Sequence, residues 1–231
     1  YILLPFVSTV FAFSIGILIK SILKGKVFSI VIFMLTTSLI LSKLPYDLIF
    51  GIGVDSLNHI FGYFKGPIYD ERLDLGGFLV LFRLYTLLIS AAILLLAKLI
   101  TVRAGKSELT FGKSEKMLLS VCVILTVLAN IFSTDLGLKR SEKNIQKSLG
   151  HFTVSEHFNF YHPTSSADLL REIIEEFEFR HYQIRNFLSV NSEKRIDVYL
   201  YPDAKSQRTL MGTGNVFIAK PSTGQIHMYL Y

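Results

Sequence analysis

One cysteine, Cys122, is all that the 231 residues contain. That excludes an internal disulfide and any CxxC metal or redox motif, so any soluble part must be held by its own core. Compartment therefore cannot be read from cysteines. Charge is the second scarcity: 18% of residues are charged, against roughly a quarter in an ordinary soluble domain. Several chemical signatures are missing too. None of the six histidines is followed by Glu, so there is no HExxH, and no GxSxG marks a nucleophilic serine. Gly212-Thr213-Gly214 is too short for a phosphate loop. His151, His157 and His162 fall on a strand and its end rather than on adjacent helix turns, and read as strand-edge and loop residues, not zinc ligands.

What is present is apolar, and it is concentrated before Thr134. Tyr1 to Ile19 is uncharged and closed by Lys20, Lys24 and Lys26, long enough to cross a hydrocarbon core of about 30 Å. Residues 27–42 form a shorter uncharged run that needs Lys26 and Lys43 to reach both interfaces. Residues 76–100, broken only by Arg83 and Lys98, and 117–134 complete four expected spans. The start at Tyr1, without a basic n-region or cleavage site, reads as a fragment cut at both ends rather than as a signal peptide.

Lys and Arg set the expected orientation. Lys20, Lys24 and Lys26 follow the first span, and Lys98, Arg103, Lys106, Lys113 and Lys116 surround the third loop. The stretch between spans two and three carries Asp47, Asp55, Asp70, Glu71 and Asp74 instead. Both basic loops lie inside if Tyr1 starts outside, so everything after Asp135 is extracytoplasmic. The net charge of +6 then reads as topology, not nucleic-acid binding. Tyr46 to Phe64 suits an interfacial or re-entrant segment, in which Asp55 and His59, four apart, are either a proton relay or a solvated helix face. Arg83 either pairs with Glu71 or Asp74 or snorkels to the interface.

After a basic linker, residues 135–150, the period changes. Phe152, Val154, Phe158 and Phe160 alternate with polar residues as in a half-buried strand, with Glu156 interrupting the face. Ser165 and Asp168 resemble a capping box for a helix whose core stripe is Leu170, Ile174, Phe177, Ile184 and Leu188. Ile196 to Tyr201 is a second strand, a short helix runs to Leu210, and Asn215–Lys220 and Gln225–Tyr231 form a hairpin through Pro221–Gly224. His227, opposite Ile226 and Met228, reads as surface or half-buried. The expected fold is thus an α-helical membrane region of about four spans followed by a small α+β domain, strand-helix-strand-hairpin, over residues 151–231. One sheet face lacks a covering helix, which points to residues beyond Tyr231.

His151–Pro163, the acidic helix, Ile196–Tyr201 and the Gly-flanked hairpin together resemble the first half of a gluzincin, or peptidase MA-like, metallopeptidase domain. The membrane half resembles bacterial permease-type proteins fused to an aminopeptidase-like module. The resemblance implies a zinc peptidase at the bacterial cell membrane, with lipid and a peptide or protein substrate as partners and no nucleic acid. It implies that zinc and the catalytic Glu belong to the full-length protein, downstream of Tyr231; this chain has no catalytic residues, binds no metal and is inactive alone. It also implies that Asn215, Val216, Phe217 and Ile218 are an edge strand that pairs with substrate backbone; an ordinary core hairpin accounts for the same residues. The alternative function is a non-enzymatic permease component, with transporter partner subunits, or a sensor.

Overall fold

A computed structural model describes residues 3–64, 77–105, 109–163, 167–189 and 194–230. They divide into two compact units: residues 3–48, 55–64 and 77–139 form one, residues 49–54 and 140–230 the other.

The first unit is mostly helical: α1 (Leu3–Ile22), α2 (Lys26–Phe50), a hairpin of β1 (Ser56–Asn58) and β2 (Gly62–Phe64), then α3 (Gly77–Arg103) and α4 (Lys113–Ile131). All four helices are long and apolar enough to cross a membrane. The second is the surprise, since α2 continues through Pro45 for 25 residues, about 37 Å at 1.5 Å per residue. That length exceeds a hydrocarbon core of about 30 Å without help from snorkelling side chains. Lys43 pairs with Asp47 on its own helix rather than marking its end.

Polarity in this unit is inverted relative to a water-soluble bundle. Ser14, Thr86 and Ser90 are buried, and each hydroxyl donates to a carbonyl one turn back. Phe28, Met34, Leu39, Met117, Ile124 and Val127 are exposed. Buried small hydroxyl residues and exposed large apolar ones are the pattern that helices packed in lipid adopt. A modest apolar seam of Phe11, Ile15 and Ile19 packs against Ile32, Phe33, Ile89 and Ile93.

The second unit is a five-stranded sheet. Its elements are α5 (Glu142–Leu149), β3 (His151–Val154), β4 (Phe158–His162), α6 (Ala167–Leu188), β5 (Ile196–Tyr201), α7 (Ala204–Met211), β6 (Ile218–Lys220) and β7 (Gln225–Tyr229). The strand order is β3-β4-β5-β7-β6, with β4, β5 and β7 parallel and both edge strands antiparallel. The continuous strand expected over 152–160 is in fact two. A single extended strand would have turned Glu156 to the face that Phe158 and Phe160 need. The chain reverses at Ser155–His157 instead, burying Phe158 and Phe160 and leaving Phe152 and Val154 exposed on β3.

Both faces of the sheet are covered. Phe158, Phe160, Val198 and Leu200 pack against Leu170, Ile173, Ile174 and Phe177 of α6. Ile184 and Leu188, expected in that stripe, are exposed; the helix has run past the sheet after His181, whose ring is the last to meet Phe158. The capping box at Ser165 lies outside the described residues. On the opposite face Tyr199 and Tyr201 meet Ile145 and Leu149 of α5, Met211 of α7, and Ile52 and Val54. The helix α5, within the segment expected to be a linker, supplies this cover together with residues 49–54. His227 is fully buried here, correcting its reading as a surface or half-buried position.

Residues 49–54 are tied to this unit by polar contacts. The Val54 amide donates to Met211 O at 3.3 Å, and buried Lys220 donates through Nζ to Gly51 O and to Gly53 O, the latter at 2.6 Å. Asp203 caps α7, its carboxylate accepting from the Ser206 amide at 2.7 Å. Gly214 is dictated by close approach, because a Cβ there would lie 2.0 Å from Ala204 O.

Candidate functional site

Three places concentrate polar groups. The first is the edge implied by the resemblance. Ile218 begins β6, the outermost strand, pairing with His227 across β7. Asn215, Val216 and Phe217 are not strand but an irregular approach to it. Val216 O accepts from the Gln207 side chain, Nε2, at 2.9 Å. Phe217 is exposed and rests 5.1 Å from the Tyr229 ring. The edge exists, but it spans residues 218–220 rather than 215–220.

The second place is inside the helical unit. Arg83 is 1% exposed, which excludes snorkelling. Its Nη1 donates to His59 O, and its Nη2 to Leu4 O and Ser8 Oγ, each at 3.2 Å. Glu71 and Asp74, the expected acid partners, lie outside the described residues. A guanidinium has five donors in a planar fork; here converging oxygens take up Nη1 and Nη2, while Nε is buried without a hydrogen-bond partner. Gly62 permits this packing: its φ is +90°, and a Cβ would lie 2.2 Å from Arg83 Nη2.

His59 sits on the turn between β1 and β2, not on a helix, so it shares no helix face with Asp55. Its ring stacks on Phe82 at 4.9 Å and also contacts Phe11 and Tyr85. His59 Nδ1 lies 2.9 Å from Thr86 Oγ1, whose only proton is donated to Phe82 O. A cavity of about 310 Å³ is lined by His59, Asn58, Tyr85, Asn130, Lys43 and Lys139 among others. Asn58 is occupied structurally, its Oδ1 accepting from the Ile60 and Phe61 amides.

The third place was missed in the sequence. His157, Glu178 and His181 are half-buried and offer ligand atoms within 4.8 Å of one another. Glu178 and His181 stand three apart on one face of α6, and His157 closes the reversal before β4. The Phe177 ring meets Phe158 edge-on at 5.3 Å and so fixes helix against strand. Glu178 Oε1 accepts from Ser155 Oγ at 2.5 Å and from the His157 amide at 2.9 Å, and Oε2 lies 2.6 Å from His157 Nδ1. Burial pushes the Glu178 carboxyl up, but the Ser155 and His157 hydrogen bonds outweigh it and hold the group below its ordinary value. The His157 and His181 rings are 4.2 Å apart. Burial, with His157 alongside, lowers the His181 pKa. Glu-x-x-His on one helix was the available signal; the third residue, 21 positions upstream, could not be paired with it before the chain reversal was known.

No family model, no curated protein and no solved structure matches this chain.

Proposed function

We propose that the chain is an integral membrane protein whose sheet domain lies on the extracytoplasmic side and receives an extended peptide along β6, in the manner of a gluzincin-like metallopeptidase. The observation that carries this reading is the succession β4, α6, β5 and the β6–β7 hairpin, with β6 outermost in the sheet. An edge strand offers backbone donors and acceptors to an added strand. Membrane placement is supported by the exposed apolar helices and by a parity argument. Residues 49–54, between α2 and α3, fold with residues that follow α4. Two crossings between them return the chain to the same side, as the shared unit requires, and the basic loops assign that side to the outside.

The zinc that the resemblance implies does not fit the edge region of this chain, which has no HExxH, so no catalytic step is derived through it. In the proposal its ligands and the glutamate base follow Tyr231 in the longer protein. The test is peptide cleavage by the full-length product, purified in detergent, with and without a chelator. Cleavage lost on chelation and restored by Zn²⁺ supports the reading. A protein that cleaves none of a mixed peptide library sinks it.

A transport or sensor role is favoured by one observation, the buried Arg83, which donates to the backbone of His59, a residue that lines the cavity. Ionic groups held inside a bundle mark substrate and ion pathways. Under that reading Arg83→Gln abolishes activity while chelation leaves it unchanged, and a peptidase gives the reverse.

A further inference from the structure

We infer that His157, Glu178 and His181 bind a divalent transition-metal ion of the zinc class, at a site separate from any peptidase centre, clamping α6 to the reversal that leads into β4. Two imidazoles and one carboxylate form a borderline N₂O donor set, which suits zinc and its first-row neighbours and not calcium or magnesium. This departs from the expectation that the chain binds no metal.

Three observations carry the inference. The ligand atoms already converge, with the longest separation 4.8 Å. Tetrahedral ligands about 2.1 Å from a zinc are about 3.4 Å apart, so side-chain rotation must close the wider separations by up to about 1.4 Å and, with His157 Nδ1 as ligand, open its 2.6 Å contact with Glu178 Oε2. The carboxylate is held in place by groups outside the donor set: Ser155 Oγ and the His157 amide both bind Oε1, leaving Oε2 directed at His157. Such supporting hydrogen bonds orient metal ligands and sharpen affinity. Finally, His181 Nδ1 is buried with no hydrogen-bond partner. A buried ring nitrogen without a partner is costly, and a bound ion would satisfy it. A metal-free hydrogen bond between His157 and Glu178 explains the first two residues but leaves His181 unexplained.

The test uses the 231-residue chain in detergent, stripped with a chelator and titrated with Zn²⁺ against a chromophoric competitor. Co²⁺ serves as a second probe, because its visible absorption reports nitrogen and oxygen coordination. One equivalent of Zn²⁺ should bind with a Kd of about a micromolar or tighter. His181→Gln and Glu178→Gln should each weaken binding by about tenfold or more and change the Co²⁺ spectrum. His151→Gln, on the stacked His151–His162 pair of β3 and β4, should leave both unchanged. The clamp also predicts that Zn²⁺ raises the melting temperature of the parent chain and not of His181→Gln. Failure of the parent chain to bind one equivalent, or equal affinity in His181→Gln, overturns the inference. In the full-length protein His181→Gln should leave peptide cleavage intact, which keeps this site distinct from the peptidase reading.

Discussion

Acidification should weaken the sheet domain through His227. The imidazole is fully buried between Tyr199, stacked at 4.7 Å, and Tyr201, whose hydroxyl lies 3.0 Å from Nδ1. Burial first, and then the nearby Lys220 charge, lower its pKa from 6.5 to about 3. The folded value lies below the unfolded one, so the unfolded chain takes up the proton. Stability from this group is complete above pH 6.5 and is lost as pH falls toward 3. Each pH unit in that window costs about 1.4 kcal/mol, so moving from pH 7 to pH 5 removes about 2 kcal/mol. The assay is urea unfolding of the chain in detergent, followed by near-ultraviolet circular dichroism of the tyrosine-rich sheet at both pH values. His227→Gln keeps a polar side chain that does not titrate, so the difference between the two pH dependences isolates the histidine. Identical losses in both proteins would refute the argument, whatever their absolute stabilities.

Other perturbations follow from single contacts. Gly62→Ala forces a Cβ against Arg83 and into a positive φ, and should cost about 2–3 kcal/mol, seen as a lowered Tm in detergent; the cost should shrink in an Arg83→Ala background, and an unchanged cost would show that the guanidinium is not the obstacle. Phe160→Ala empties a fully buried position between β4 and α6 and should lower sheet-domain stability by about 3–5 kcal/mol, read from the urea midpoint. Lys220→Met removes the donor shared by Gly51 O and Gly53 O and should cost on the order of 2–3 kcal/mol. Its signature is new protease cleavage between residues 49 and 54, and resistance equal to the parent's would contradict the contact.

The features legible in the sequence were those written locally. Long apolar runs with few or no charges marked all four apolar helices, because length and scarcity of charge are the main criterion for a span. The order strand, helix, strand, hairpin was likewise visible, since β5 alternates Val198 and Leu200 with Tyr199 and Tyr201 and the chain turns at Pro221. What escaped depended on contacts between distant residues. Gly51–Val54 looked like a membrane-surface segment, yet its partners are Met211 and Lys220, more than 150 positions away. The same blindness made His227 seem exposed, because nothing local says that α5 and residues 49–54 cover its face. The burial of Arg83 was hidden for a different reason: among the described residues its oxygen partners are mostly backbone, and backbone carbonyls leave no mark in a sequence. The edge expected at Asn215–Ile218 belongs to an edge strand but was overextended, since strand pairing begins only at Ile218.

The central claim, a four-span chain whose sheet domain faces outward, is tested most directly by thiol labelling in intact cells. In a Cys122→Ser background, single cysteines replace exposed Gly25, Ala104 and Asn215. A membrane-impermeant maleimide should label the Asn215→Cys protein in intact cells, and the Gly25→Cys and Ala104→Cys proteins only after permeabilisation. Protection of Asn215→Cys in intact cells, or labelling of Gly25→Cys alongside it, would contradict the account.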